Sequence, residues 1–204
     1  MKAIDLTRTF SASMPVFPGD RPTVLRKTEG GEADVVCYHL DTGMHVGTHI
    51  DAPLHMIPDG KKLSDIPIER FFARGHLIDA RGKKEIDAVL LEGKDIQKGD
   101  CVLVYTGFDE KFAEPDFYTD YPVVTEEFAK RLVDLGVSFI GLDTPSPDTT
   151  PYAVHKILLS SDILIIEGLC NCKELTSVSS FEVIALPPKF EAEAGPVRVV
   201  ARVG

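Results

Sequence analysis

The chain reads as an α/β protein whose N-terminal portion is largely β. Three features predict this: short strand-like runs broken by turn residues in the first half, alternation of buried strand-like runs with amphipathic helical ones in the second, and two further strand-like runs at the close. No internal repeat, low-complexity tract or long charge run divides the 204 residues, so one domain over 1–204 is expected.

Strands are expected over 3–10, 23–26 and 34–40, with a turn at Pro18-Gly19-Asp20 after the first. A short helix is expected over 67–73, with Pro67 in the first turn, where its missing N–H costs nothing, and Gly75 beyond its end. Residues 101–106 form an apolar run that reads as a buried strand. Over 125–135 the pattern is helical: Thr125 stands at the N-cap, Glu126 and Glu127 occupy the positive first turn, Phe128, Leu132 and Leu135 share a face, and Gly136 stops the helix. A strand follows over 137–142. Thr150-Pro151 reads as an N-cap followed by proline at the first helical position, opening a helix through Leu159 that feeds a strand over 162–166. Strands over 181–186 and 197–203 close the chain.

Composition narrows the function classes. Apolar residues at 44% and charged residues at 26% suit an ordinary soluble globular protein and exclude a disordered, collagenous or coiled-coil chain. Twenty-two basic against 32 acidic residues leave a net charge of −10, which repels phosphate backbones and anionic membrane surfaces. Neither nucleic acid nor a membrane is therefore expected as a partner. The opening MKAIDLTRTF has no apolar core of a secretory signal, and no apolar run approaches the ~18 residues of a membrane span, so a cytoplasmic protein is expected. Cys37, Cys101, Cys170 and Cys172 show no framework spacing and read as buried free thiols.

The chemistry concentrates in HVGTHIDAPLH, where His45, His49 and His55 fall together with Asp51. Gly47, Pro53 and the β-branched Val46, Thr48 and Ile50 argue against a helix, so the segment should be extended or looped. On a strand His49 and Asp51 would share a face ~7 Å apart, an easy span for one ion, whereas His45 would lie ~13 Å from His49 unless the chain bends. Gly47 is the residue that permits the bend. Imidazole with carboxylate suits Zn²⁺ or Mn²⁺, and three protein ligands leave a position open for water. Satisfied loop histidines are the plainer alternative, which three imidazoles and a carboxylate in one bent segment disfavour. Glu167 ends the apolar run DILII, a position at a strand's C-terminal rim where α/β sheets place their sites. The proline-rich 143–148 segment reads as a rigid pocket wall, and His39 and His76 as structural.

HVGTHIDAPLH resembles the H-x-G-T-H-x-D-x-P-x-H signature of the cyclase family of metal-dependent hydrolases. The resemblance extends to IDLTRTFSASMPVFPGD, DTPSPD, the 155–167 stretch and ALPPKFEAEAGPVRVVARV, and so spans nearly the whole chain. It implies that His45, His49 and Asp51 bind metal, that Asp51 can bridge a second ion held by His155 and Glu167, and that His55 acts in proton transfer. The implied fold is a compact swivelling β/β/α-type domain, a mixed sheet with packed helices, assembled as a homodimer or homotetramer. Phe17, where many members carry Trp, and Cys170 and Cys172 depart from the commoner pattern.

The activity so implied is hydrolysis of a small-molecule amide C–N bond by water activated on one or two divalent ions, Zn or Mn. Arylformamidase action on N-formylkynurenine comes first, the opening of a cyclic amide such as isatin second, and a metal- or ligand-binding protein without turnover third. Phe17 and Phe71 are candidates to line a slot for an aromatic ring.

Overall fold

A computed structural model describes residues 2–28 and 35–204. Its strands are β1 (Lys2–Asp5), β2 (Val24–Lys27), β3 (Tyr38–Asp41), β4 (His49–Asp51), β5 (Phe72–Asp79), β6 (Glu85–Ile86), β7 (Cys101–Tyr105), β8 (Val123–Val124), β9 (Phe139–Leu142), β10 (Leu164–Glu167), β11 (Phe181–Leu186), β12 (Ala194–Pro196) and β13 (Arg198–Val203). Two α-helices, α1 (Glu126–Leu135) and α2 (Ala153–Ser160), lie between β8 and β10.

Among the described residues the main sheet has nine strands in the order β1-β13-β11-β5-β7-β9-β10-β4-β12. The run β5-β7-β9-β10 is parallel and every other pairing in this sheet is antiparallel. Parallel neighbours need crossovers, and α1 and α2 supply those into β9 and β10. This is the mixed sheet with packed helices that the sequence predicts.

Alternation along the buried central strands divides the interior in two. Cys101, Leu103 and Tyr105 of β7, with Phe139, Leu164 and Ile166, face a core built with Ile4, Val183, Ala185, Val199 and Ala201 of the antiparallel strands. Val102, Val104, Ile140, Leu142 and Ile165 face the opposite way, onto Phe128 and Leu132 of α1 and Val154 and Leu158 of α2. The same two-residue period carries from Ile165 to Glu167 and, across the β10-β4 register, to Asp51 and His49, which pair with those residues. Ile50 and Ala52 take the other side, in the first core. The carboxylates and imidazole of β4 and β10 are therefore turned to the face on which α2 packs.

Helix α1 follows its sequence signals closely. Thr125 caps it through a hydrogen bond from the Phe128 N–H, and Gly136 ends it in the left-handed conformation at φ +66°. Elsewhere the chain departs from expectation. No helix forms over 67–73: a short 3₁₀ turn over Ile68–Phe71 gives way to β5, which runs through Ala73 and Gly75. Gly75 stands opposite Phe181 of β11, whose ring covers the site a Cβ would take, so this glycine is a packing requirement inside a sheet rather than a helix stop.

Helix α2 starts at Ala153 rather than at Pro151, because the carboxylate of Asp148 supplies the cap: its Oδ2 accepts the Val154 N–H at 2.7 Å and the His155 N–H at 3.4 Å. Strand β1 stops at Asp5, whose carboxylate takes the Thr7 N–H. The strand expected over 34–40 appears as Tyr38–Asp41, and Asp34 lies outside the described residues. Of the four cysteines, Cys101 and Cys172 are buried, but Cys37 is exposed and Cys170 intermediate, since both lie on loops rather than in core strands. Among the described residues no helix is long and apolar enough to cross a membrane.

Candidate metal centre

The bend at residue 47 brings the histidine-rich segment together. Gly47 adopts φ +65°, so the chain turns before entering β4, and His45 comes within 3.0 Å of Asp51 Oδ1 through its Nδ1. His55 is not on a strand: it closes a 3₁₀ turn over Pro53–His55, with Pro53 in the first turn. The ring centroids of His45 and His55 lie 4.2 Å apart, and His55 lies 5.7 Å from His155 of α2. All six side chains singled out in the sequence, His45, His49, Asp51, His55, His155 and Glu167, thus reach one space between the sheet and α2.

Two groups of potential metal donors share Asp51: His45, Asp51 and His55 form one, and His49, Asp51 and Glu167 the other, with donor atoms within 4.8 Å of one another in each. His155 Nε2 joins them, 3.3 Å from Glu167 Oε1 and 4.0 Å from Asp51 Oδ2. The close approaches are not directed hydrogen bonds. Asp51 is fully buried, yet neither of its oxygens has a hydrogen-bond partner, nor does His49 Nε2 although it lies 3.1 Å from Glu167 Oε2. Buried polar atoms without partners are costly. Lone pairs that crowd together without bonding one another fit a cation at their common focus, and the nitrogen–oxygen donor set suits a borderline divalent ion.

The far sides of the rings are fixed. His49 Nδ1 lies 3.0 Å from the Gly47 carbonyl, which accepts its proton and leaves Nε2 with the free lone pair. His155 Nδ1 is held by Asp148 Oδ1 at 2.5 Å. Asp148 is a site residue that sequence reasoning passed over; its signal was its place in DTPSPD, just ahead of the helix it caps. Pro145 and Ser146 of the same segment do line the cleft, as expected of a pocket wall.

The electrostatics show two buried carboxylates collecting positive charge. Burial opposes ionisation of Asp51 and Glu167, but the surrounding imidazoles outweigh it and hold both below the usual carboxylate range. Burial also pulls down His45 and His155, yet the carboxylates carry them up to about 9 and about 10. His49 is raised in the same way. His55 alone is lowered, by burial and by the neighbouring imidazoles. His76, outside this space, pairs with Asp100 at 2.6 Å.

A cleft of about 250 Å³ opens onto these residues. Phe17, Phe112, Phe117 and Tyr118 form its aromatic side. Phe71 does not belong to it, because that side chain is buried in the core on the other side of the sheet. Phe112, Phe117 and Tyr118 come from KFAEPDFYTDY, whose density of aromatics in an acidic stretch was the available signal.

Comparisons with known proteins agree with this picture. The Cyclase family model matches residues 4–149. Kynurenine formamidase of Geobacillus thermodenitrificans is 31% identical over 98% of this chain and 96% of its own length, and that of Salinibacter ruber is 32% identical over 99% and 98%. Among solved structures, a potential metal-dependent hydrolase with cyclase activity superposes with a TM-score of 0.81 at 30% identity, covering 98% of this chain and 96% of that one. Isatin hydrolase A from Labrenzia aggregata has a TM-score of 0.87 at 22% identity, over 99% and 93%, which shows a shared fold. With the family match spanning well over half the residues and relatives aligned along nearly all of them, this chain belongs to the Cyclase family.

Proposed function

We propose that this chain is a metal-dependent amidohydrolase acting on an aryl formamide, with N-formylkynurenine, cleaved to kynurenine and formate, as its substrate. The observation that carries the reading is the convergence of His45, His49, Asp51, His155 and Glu167 on one buried focus, with both Asp51 oxygens and His49 Nε2 unpartnered. Those five residues would hold one or two divalent ions, Zn or Mn, with Asp51 placed between the two donor groups. A divalent ion there would supply a Lewis acid and would acidify water toward a pKa of about 7.

The chain's own residues supply the rest. His155 and His49 present Nε2 because Asp148 and the Gly47 carbonyl occupy their Nδ1 atoms. His55 stands beside the focus as a neutral imidazole at neutral pH, its pKa lowered by burial, so its ring can accept a proton from water and return it to the departing nitrogen. Phe17, Phe112, Phe117 and Tyr118 offer an apolar, aromatic slot beside that ring, which suits an aryl group and excludes water from it. Relatives named kynurenine formamidase, 31–32% identical along nearly the full length, support the formyl substrate.

The opening of a cyclic amide is the second reading, favoured by the fold shared with isatin hydrolase at a TM-score of 0.87. The cytoplasm as location, one domain over 1–204 and assembly as a homodimer or homotetramer belong to the same proposal. The exposed apolar side chains of Val24, Val36, Tyr38 and Leu40 on and beside the β2-β3 pair support assembly, since nothing among the described residues covers them. The deciding experiment is formate release from N-formylkynurenine by metal-reconstituted protein, run beside isatin opening and repeated with a chelator. Formate release that the chelator abolishes is the expected result; isatin opening without formate release would move the substrate to the second reading, and no turnover of either would overturn both.

A further inference from the structure

The aromatic side of the cleft is carried by an irregular segment, and it hangs from a residue that does not line the cleft. Arg8, in the loop after β1, lays its guanidinium over the Phe112 ring with Cζ 3.8 Å from the centroid, and over Phe117 at 5.8 Å. Its Nη2 donates to the carbonyls of Asp109 at 3.1 Å and Leu169 at 3.4 Å. Its backbone N–H donates to Thr48 Oγ1, which in turn donates to the Gly168 carbonyl at 2.7 Å. Arg8 therefore joins the ring segment to the loop that follows Glu167 through its side chain, and to the residue that precedes His49 through its backbone N–H. The buried Nε has no hydrogen-bond partner, so the group is held by the two Nη2 bonds at one end and by the stacked ring across its face.

From Phe112 the contact passes along the wall ring by ring. Phe112 meets Phe117 edge-on at 5.1 Å, Phe117 meets Tyr118 at 5.0 Å, and Tyr118 meets Phe17 at 5.7 Å. We propose that Arg8 is a positioning residue for aryl specificity: by stacking on the back of Phe112 it sets the distance between the aromatic wall and the catalytic focus. A lysine keeps the charge but loses the planar fork that stacks and spans two carbonyls at once. The ring then shifts, and the aryl contact it offers to ground state and transition state alike is weakened, which raises KM without lowering kcat.

This inference rests on the aryl-formamide reading, and its test separates the two. Wild type, Arg8→Lys, Phe112→Leu and the double variant are compared for turnover of formanilide and of N-butylformamide after metal reconstitution, and for calorimetric binding of acetophenone to the metal-free proteins. Expected for Arg8→Lys is a rise of about tenfold in KM for formanilide with kcat within about twofold, no comparable change for N-butylformamide, and weaker acetophenone binding. In the Phe112→Leu background the Arg8→Lys change should add little, since the ring through which it acts is gone. Equal losses on both formamides, or a full Arg8→Lys effect persisting without Phe112, would overturn the positioning role. If no formamide is turned over by wild type, the formamidase reading fails, and acetophenone binding across the four proteins still decides the role of Arg8.

Discussion

His49 and His55 carry the same ring in different surroundings. His49 is buried, its Nδ1 engaged by the Gly47 carbonyl and its Nε2 3.1 Å from Glu167, which leaves one lone pair for a cation. His55 ends a 3₁₀ turn at the cleft, partly exposed, and its pKa is lowered where those of its neighbours are raised. A group that collects positive charge suits a ligand in the metal-free state, and one kept neutral suits proton transfer. His49→Ala should therefore lose metal, with activity partly restored by excess metal. His55→Ala should keep its metal and lose about 10²- to 10⁴-fold in turnover that no added metal restores. Metal content and turnover across a metal titration check the pair. Because His55 also lies within donor distance of His45 and Asp51, loss of metal from His55→Ala as deep as that from His49→Ala would make it a ligand instead.

At the scale of elements, what the sequence reveals is what is locally determined. Helix α1 is legible to the residue because Thr125, the acidic first turn, the apolar face and Gly136 all act within one stretch. The bend before β4 is legible for the same reason, since only a glycine sits readily at φ +65° there. Strand β5 is not, because its glycine answers to Phe181, more than a hundred residues away, and short-range signals favoured a helix stop. The aromatic wall is likewise set by packing between distant segments, whereas the start of α2 and the part played by Asp148 are local, six residues ahead of Val154, and were masked by the competing start signal of Thr150-Pro151.

Gly168, which follows Glu167 at φ +65°, shows what such packing demands. A Cβ there would stand 2.5 Å from the Gly47 carbonyl oxygen, so the turns that carry His49 and Glu167 are pressed backbone to backbone. Gly82, at φ +75°, has open space around the same position. Gly82→Ala should cost only the left-handed strain of about 1 kcal/mol, whereas Gly168→Ala adds a backbone displacement and should cost about 3 kcal/mol and lower metal affinity. Denaturant midpoints and metal content measure both. Equal losses in the two variants would mean that the two turns are not in rigid contact.

Over the whole molecule, the centre works as a charge-balancing device within a chain of net charge −10. Without metal, the buried Asp51 and Glu167 are balanced by imidazolium, which is why His45 is carried to about 9 and His155 to about 10 against an ordinary 6.5. A histidine whose pKa is higher folded than unfolded contributes stability that is fully present below about pH 6.5. That contribution drains away as pH rises through the folded values, and it is gone above about 10. The carboxylates, held low, act oppositely: their contribution is present above the ordinary carboxylate range and is lost in acid. A divalent ion bound there would replace those protons as the balancing charge, so in the loaded protein the alkaline loss should disappear, while acid, by protonating the imidazoles, should expel the ion. Lysine and tyrosine titration on the surface, and the growing negative charge of the whole chain, affect both forms alike and cancel in the comparison. Thermal melting of metal-free and metal-loaded protein between pH 6 and 10 should therefore give a Tm difference that widens with rising pH. A difference that stays constant across that range would mean that Asp51 and Glu167 are not balanced by the imidazoles around them.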